Sequence, residues 1–245
     1  KIFFVEPSDS KKTDNAAHDI LSRLMKLAYR RAVTESDLVS VMRFHRDAAT
    51  QGGFEEGIAA GVEAILVNPS FLFRVERPPG DAEGKVYHIN DVDLASRLSF
   101  FLWSSLPDEE LIDLAIAKQL NQPAVLEQQV MRMLGDPKSA SLVTNFASQW
   151  LHLRNLDSIT PDLRLFPDFD ENLRRAFRRE TELFFESILR EDRSVLELLK
   201  TDYTFLNERL AKHYDIPHVF GSRFRRVALK PENQRGGLLR HGSIL

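Results

Sequence analysis

The chain has 245 residues, with 33 basic and 36 acidic side chains and a net charge of −3 at pH 7. Its hydrophobic content of 43% suffices for a globular core, and charges of both signs are mixed along the sequence. This mixing argues against a nucleic-acid-binding arm, and no apolar run is long enough for a transmembrane helix. The lack of cysteine excludes internal disulfides, zinc–thiolate sites, cysteine nucleophiles and covalent haem attachment through C-x-x-C-H.

The first part of the chain predicts three amphipathic helices. Apolar side chains recur at helical spacing over residues 20–28, and either Asp14 or Asn15 is placed to cap this first helix. Thr34 opens the second helix, with Asp37 three residues later in a variant of the capping box. The third follows a Gly-Gly pair and ends at an Asn-Pro pair. We expect these helices to bury a small core of their own.

Helices dominate the rest of the chain as well. Asn90 is placed as the N-cap of a long apolar helix, and two prolines mark an irregular loop over residues 157–169. Residues 224–229 alternate weakly and predict a strand. Further helices are predicted at about residues 108–120, 123–134, 142–153, 170–190 and 207–213.

These patterns predict a mainly α fold, a multi-helix bundle-like array with long loops and at most a few short strands. We predict a small helical module at residues 1–76, a linker at 77–85, a central helical module at 86–213, and the start of a third, truncated module at 214–245. Because the chain begins at Lys1 without a signal peptide, we expect it to be a segment of a longer protein.

Familiar catalytic and metal-binding motifs are missing from the sequence. It holds no H-E-x-x-H, G-x-S-x-G, P-loop or dinucleotide-binding fingerprint, and its seven histidines are scattered. Trp103 and Trp150 lie at the edges of apolar helices, where each either packs in the core or lines a ligand pocket. Any site must therefore be sought among isolated polar residues.

Two glutamates on the predicted helix at 170–190 are candidate metal ligands. Glu182 and Glu186 share one face, like the carboxylates of metal sites in helical bundles. Such sites normally take an E-x-x-H from a partner helix, which the sequence lacks. We therefore favour ion pairs with Arg178 and Arg190, and we assign Glu180 to the same solvated helix surface.

The string at residues 202–210 supplies the candidate catalytic residues, which are Asp202, Glu208 and the nearby His213. The favoured interpretation is a turn followed by a helix start, with Asn207 capping the helix that Glu208 begins. At the end of that helix, His213 is placed to interact with the terminal carbonyls; a role as a haem b ligand is the less favoured alternative.

Five strings are too particular for generic amphipathic helices. They are LAYRRAVT at 27–34, ILVNPSFLFRVE at 65–76, LASRLSFFLWSS at 94–105, FASQWL at 146–151 and DYTFLNERL at 202–210. Together they resemble a large planctomycete- and acidobacteria-type family of exported proteins built from consecutive domains of unknown function. The resemblance covers essentially the whole chain but identifies no reaction.

The resemblance implies a periplasmic or cell-surface location. Because members commonly also carry a cytochrome c module, it implies a cytochrome c module or a redox partner protein as partner. Any haem c would then lie elsewhere in the full-length protein, with no cofactor in this cysteine-free segment. Relatives often have cysteines near the positions of Val5 and Ala16, so packing must replace any disulfide that those cysteines form.

Three functions follow as hypotheses. The first is a non-catalytic helical binding or scaffold portion of an exported cytochrome c-linked protein that supports electron transfer. The second is the substrate-pocket portion of an extracytoplasmic redox enzyme. The third is a structural subunit of a membrane-associated complex, which a large exposed apolar patch would favour.

Overall fold

The structure, a computed structural model, describes residues 2, 4, 10–76 and 86–244 of the chain. Over these ranges the protein is mainly α-helical, with a single two-stranded antiparallel sheet, which confirms the predicted fold class. The predicted linker at 77–85 and Val5 lie outside the described residues. The chain divides into two compact units, Lys1–Phe101 with Ser105–Arg132, and Leu102–Ser104 with Met133–Leu245. The predicted module boundaries remain a prediction.

The first unit is built of helices. They are α1 (Ser10–Tyr29), α2 (Glu35–Leu66), α3 (Pro69–Leu72), most of α4 (Asp91–Trp103), α5 (Glu109–Ile116) and most of α6 (Pro123–Gly135). Helices α1 and α2 pack along one another and bury a core that includes Ile20, Leu21, Met25 and Ile58. Each large aliphatic side chain removed from water contributes roughly 1.5–3 kcal/mol, so this cluster holds the two helices together.

The capping box predicted at the start of α2 is confirmed. The backbone N–H of Asp37 donates to Thr34 Oγ1 (3.2 Å), and the Thr34 N–H donates to Asp37 Oδ2 (3.0 Å). Arg31 also donates to the Asp37 carboxylate at 2.6 Å, and this bond is the main reason that the pKa of Asp37 lies far below its usual value. The cap stabilises α2 by about 1 kcal/mol.

Two features of the first helices differ from the sequence interpretation or refine it. Helix α1 begins at Ser10, so the prediction that Asp14 or Asn15 caps it is wrong. Asp14 lies within the helix, where its carboxylate accepts a hydrogen bond from Arg46 at 3.2 Å. The two helices predicted on either side of the Gly-Gly pair form α2, which is interrupted at Gly53, whose φ of 85° suits glycine.

The second unit is centred on helix α8 (Glu171–Arg190). Asp170 caps α8 by accepting from the Leu173 N–H at 2.6 Å, and one face of the helix is buried from Leu173 to Ile188. The other elements are a π-helical turn (Leu142–Ala147), α7 (Ser148–Trp150), β1 (Tyr203–Leu206), α9 (Glu208–His213) and β2 (Arg225–Ala228). Short 3₁₀ segments are Pro137–Ser139, Leu153–Asp157, Val195–Leu198, Pro231–Asn233 and Leu238–Arg240.

The sheet of the second unit pairs β1 with β2 antiparallel, with Tyr203 opposite Ala228 and Leu206 opposite Arg225. The strand predicted at 224–229 is confirmed as β2. Its partner β1 forms where the sequence predicts a turn that leads into a helix. The helix predicted at 142–153 is confirmed as far as Trp150, although it is not α-helical throughout. A π-helical turn and α7 occupy the region, and the left-handed backbone of His152 (φ 54°) ends the helical path.

No helix in the described ranges is both long enough and apolar enough to span a bilayer.

Candidate functional site

The structure brings two of the predicted candidate residues, Glu182 and Glu208, into one groove of the second unit. The groove lies between α8 and α9 and has a volume of about 780 Å³. Its charged lining comprises five cations, Arg175, Arg178, Arg179, Arg209 and Lys212, and the two carboxylates of Glu182 and Glu208. The wall that a bound molecule would meet is therefore predominantly positive.

Each groove carboxylate is paired with a neighbour on its own helix. Glu182 accepts from Arg179 Nη1 at 3.0 Å, and Glu208 accepts from Lys212 Nζ at 2.6 Å. Glu208 also accepts from the backbone N–H of Gly221 at 2.7 Å, which fixes the loop before β2. The hydrogen bond from Lys212, followed by that from Gly221, lowers the pKa of Glu208. The carboxylate of Glu208 is thus held as an anion.

The ion pairs expected for Glu182 and Glu186 are half right. Glu186 accepts from Arg190 Nε at 3.0 Å, as expected for an i, i+4 pair. Glu182 pairs with Arg179 instead of Arg178, because Arg178 Nη2 donates to Asp157 at 2.7 Å. No group of three or more potential metal ligands occurs among the described residues. Whether Glu182 and Glu186 bind a metal stays a prediction.

The other catalytic candidates lie apart from the groove lining. Asp202 is exposed, and its backbone carbonyl accepts from the Leu229 N–H at 2.6 Å beside the sheet. His213 ends α9 with its ring edge against Phe177, at 5.2 Å between centroids, and desolvation there is the main reason that its pKa is lowered. The cap predicted at Asn207 is confirmed, since its Oδ1 accepts from the Leu210 N–H at 2.9 Å.

Glu180 is the residue that the sequence interpretation placed wrongly. The side chain is only 1% exposed instead of lying on a solvated face. Thr204 Oγ1 donates to its Oε1 and the Tyr214 hydroxyl donates to its Oε2, both at 2.6 Å. Burial raises the pKa of Glu180 to about 7 against the lowering effect of these two bonds. Glu180 therefore titrates near neutral pH inside the core.

A buried histidine faces Glu180. His241 is 3% exposed, its Nδ1 lies 2.9 Å from Thr181 Oγ1, and its Nε2 lies 3.9 Å from Glu180 Oε1. Nε2 has no hydrogen-bond partner in the described part of the chain. Burial lowers the pKa of His241 to about 3, so the imidazole is neutral at physiological pH.

The same network ties the C-terminal part of the second unit to α8. The Gly242 N–H donates to the Tyr214 hydroxyl at 2.8 Å, and Ser243 Oγ lies 2.6 Å from Thr181 Oγ1. A Cβ on Gly242 would overlap the ring of Phe177. The network could have been suspected from the sequence, because Glu180 is three residues after Phe177 and four before Phe184, within the apolar stripe of α8.

An aromatic surface forms a second feature of this unit. Trp150 is 53% exposed and Phe146 is 40% exposed, and their rings stack with centroids 5.9 Å apart. Phe185 on α8 meets Trp150 edge-on at 6.4 Å. Trp103, the other tryptophan, is buried and donates from Nε1 to the Met133 carbonyl at 2.9 Å. Trp103 thus packs in the core, whereas Trp150 is presented at the surface.

A pocket adjoins the exposed tryptophan. It has a volume of about 370 Å³, and Trp150 forms part of its wall. The other lining residues are the apolar Leu151, Leu156, Ile159 and Ile244 and the polar His152, Asn155 and Ser243. The aromatic surface therefore continues into a concave and mostly apolar feature.

Two family models match the chain. The model PSD4, described as a protein of unknown function (DUF1592), matches residues 89–216, slightly more than half of the chain. The chain belongs to the DUF1592 family. The model PSD5, described as a protein of unknown function (DUF1595), matches residues 16–76. No curated protein and no solved structure matches the chain.

Some residues of the sites described above lie inside the part of this DUF1592 chain that the family model matches, and others lie after it. Trp150, Glu180, Glu182 and Glu208 fall inside residues 89–216. By contrast, β2 and the segment that contains His241 follow the matched region. The buried network therefore joins residues inside the DUF1592 match to residues beyond it.

Proposed function

We propose that this DUF1592 chain is a non-catalytic helical binding or scaffold portion of an exported protein linked to a cytochrome c module, and that it supports electron transfer by docking the redox partner. The observation that carries this proposal is the aromatic surface formed by the exposed rings of Phe146 and Trp150, with the half-buried Phe185 beside them. The periplasmic or cell-surface location and the cytochrome c partner rest on the resemblance of the sequence strings to planctomycete- and acidobacteria-type proteins.

The aromatic surface has the character of a protein-binding hot spot. Tryptophan is enriched among the residues that dominate binding energy, since it buries a large rigid area at little cost in side-chain entropy. Stacking on Phe146 and the edge contact with Phe185 restrict the Trp150 ring before any partner arrives. Such preorganisation lowers the entropic cost of docking and favours a binding role.

Two buried groups with strongly shifted pKa values, Glu180 and His241, favour a structural role over catalysis. Their side chains are only 1% and 3% exposed. Acid–base catalysis requires such a group within hydrogen-bond reach of the substrate. Since both side chains are sealed inside the second unit, they stabilise the fold that presents Trp150.

The test begins with the full-length protein, whose reduced-minus-oxidised spectrum should show a c-type haem. The haem-bearing module, produced separately, should bind this chain in isothermal titration calorimetry. Trp150→Ala should weaken the binding at least tenfold, because truncating a hot-spot residue costs about 2 kcal/mol or more. Phe220→Ala, which removes another exposed aromatic ring of the second unit, is the matched control.

Two results would contradict the proposal. One is a full-length protein and gene neighbourhood without any C-x-x-C-H haem site. The other is equal affinity of the haem module for wild type and Trp150→Ala.

The groove between α8 and α9 favours a second candidate, the substrate-pocket portion of an extracytoplasmic redox enzyme. Its volume of about 780 Å³ is typical of ligand sites, and it contains Glu208. For this candidate, we expect Glu208→Ala to abolish turnover by the full-length protein while leaving its haem spectrum unchanged. Unaltered turnover would exclude a catalytic role of Glu208.

A further inference from the structure

We propose that the groove between α8 and α9 binds a small molecule carrying two or more oxyanion groups, carboxylate or phosphate. The site is separate from the Trp150 surface, and the proposal does not depend on docking of a redox partner. It rests on the charges of the groove wall, on how its cations are held, and on the size of the groove.

The groove wall carries an excess of positive charge. Five cationic side chains and two carboxylates line it. Three of the cations, Arg175, Arg178 and Arg209, have acidic partners that are not among the lining residues. A ligand inside the groove would therefore meet the guanidinium groups directly and the balancing carboxylates only at greater distance.

The acidic partners outside the lining also orient these arginines. Arg178 Nη2 donates to Asp157 at 2.7 Å and to the Leu153 carbonyl at 3.2 Å. Arg209 donates to Asp170 at 3.2 Å and also to a backbone carbonyl. A guanidinium has five N–H donors. Because each of these arginines bonds to only two acceptors in the described part of the protein, N–H groups are left to donate to a ligand. Arginines held in this way are suited to bidentate recognition of carboxylate or phosphate.

The remaining two cations are paired with the carboxylates of the groove itself. Arg179 is paired with Glu182 and Lys212 with Glu208. The side chains of the two cations are 47% and 72% exposed, while those of Glu182 and Glu208 are 15% and 35% exposed. Because solvent screens the exposed cations, each pair contributes little to stability, and a multivalent anion can compete with the carboxylate for the cation. Glu182 thus competes with the ligand for Arg179.

The size of the groove sets the class of ligand. A volume of about 780 Å³ falls in the range of small-molecule sites. Ala176 and Phe224 supply apolar surface, while Asn172 and Ser222 add neutral hydrogen-bonding groups. A compact di- or tricarboxylate, or a small phosphate compound, matches this combination of charge and volume.

Calorimetric titration at low ionic strength with citrate and with pyrophosphate tests the proposal. We expect at least one of them to bind, and the stronger of the two identifies carboxylate or phosphate as the preferred group. Arg179→Gln should weaken that binding about tenfold, the effect of losing one charged hydrogen bond. Glu182→Gln should strengthen it severalfold, because Arg179 is released from its competitor.

The control variant is Arg164→Gln, since Arg164 is an exposed arginine of the same unit that pairs with Asp162 outside the groove lining. Arg164→Gln should leave anion affinity unchanged, and thermal unfolding should verify that each variant is folded. Trp150→Ala should also retain anion binding, so failure of the docking proposal and failure of this one are distinguishable. Absence of binding by both anions, or weaker binding by Glu182→Gln, would overturn the proposal.

Discussion

The hydroxyl of Tyr214 donates to Glu180 Oε2 at 2.6 Å, and the phenolic oxygen of Tyr214 accepts from the backbone N–H of Gly242 at 2.8 Å. One phenol thereby connects α8, the end of α9 and the segment that follows β2. Burial, reinforced by the adjacent carboxylate of Glu180, raises the pKa of Tyr214 far above its usual value, so the hydroxyl keeps its proton.

Removal of this hydroxyl should destabilise the second unit. In Tyr214→Phe, Glu180 loses a donor and the Gly242 N–H loses its acceptor, so we expect the free energy of unfolding to fall by about 1–3 kcal/mol. Urea denaturation followed by circular dichroism measures the change. Tyr87→Phe, at an exposed tyrosine of the first unit, is the control. Equal stability of the two variants would show that the hydroxyl is dispensable.

Glu180 should make the protein less stable as the pH rises through neutrality. Its pKa increases from the ordinary 4.5 to about 7 on folding, so the folded state holds a proton that the unfolded state has released. The contribution of Glu180 is therefore complete below pH 4.5, declines as the pH rises, and is lost above about pH 7. Denaturation between pH 6.5 and 8 should show the last part of this decline. Subtracting the profile of Glu180→Gln removes the opposing contribution of His241, whose unfolded-state pKa is 6.5.

Glu180→Gln removes the titrating group, so the decline should disappear from its pH profile. Glu186→Gln removes the half-buried carboxylate that pairs with Arg190 on the same helix, and it should keep the wild-type profile. An unchanged slope in Glu180→Gln would mean that Glu180 is ionised at the same pH in the folded and unfolded states.

His241 should have the opposite pH dependence on the acidic side. Its pKa falls from 6.5 to about 3 on folding. Between these two pH values the imidazole is therefore protonated in the unfolded state and neutral in the folded state. Stability contributed by neutral His241 is present above pH 6.5 and is lost as the pH falls towards 3. In His241→Leu this loss should be absent. The stability difference between wild type and variant should change by up to about 1.4 kcal/mol per pH unit.

Denaturation curves of both proteins at intervals between pH 6.5 and 4 provide the measurement. Wild type also contains the opposing contribution of Glu180, and taking the difference between the two proteins isolates that of His241. A difference that does not vary with pH would contradict the neutral, buried state of this imidazole.

Gly242→Ala should destabilise the second unit for steric reasons. The new methyl group would overlap the Phe177 ring, and overpacking of this kind costs about 1–3 kcal/mol. Gly135→Ala is the matched control, because a Cβ at that position meets no atom within 4 Å. Differential scanning calorimetry should show a lower unfolding temperature for Gly242→Ala alone. A matching decrease in both variants would indicate a backbone effect at glycine.

Local signals predicted much of the fold. Helical periodicity predicted the start of α8 to within one residue. The caps at Thr34 and Asn207 were also predictable, because each capping side chain bonds to a backbone N–H three residues later. The antiparallel pairing of β1 with β2 was missed, since its register depends on about twenty intervening residues. Glu182 and Glu208 lie on different helices, and tertiary packing alone brings them into one groove.

Glu180 shows why charge is an incomplete guide to exposure. Its neighbours Arg178, Arg179 and Glu182 do line a charged groove, so the surrounding sequence resembles a solvated surface. The phase of the helix turns Glu180 itself towards Thr204 and Tyr214, two partners that are 24 and 34 residues away. Hydrogen bonds from such distant donors offset the free-energy cost of burying a carboxylate. The sequence immediately around Glu180 does not show that these donors exist.

The buried network around Glu180 includes residues after position 216, and this constrains how the sequence can vary among relatives. Glu180 and Tyr214 belong to the stretch that matches DUF1592, whereas Gly242 and His241 do not. A substitution in one stretch changes the surroundings of the other, so these positions are expected to co-vary among relatives. A chimera that exchanges the DUF1592 stretch between two members will recombine unmatched halves of one core unless the segment containing residues 241–243 is transferred with it.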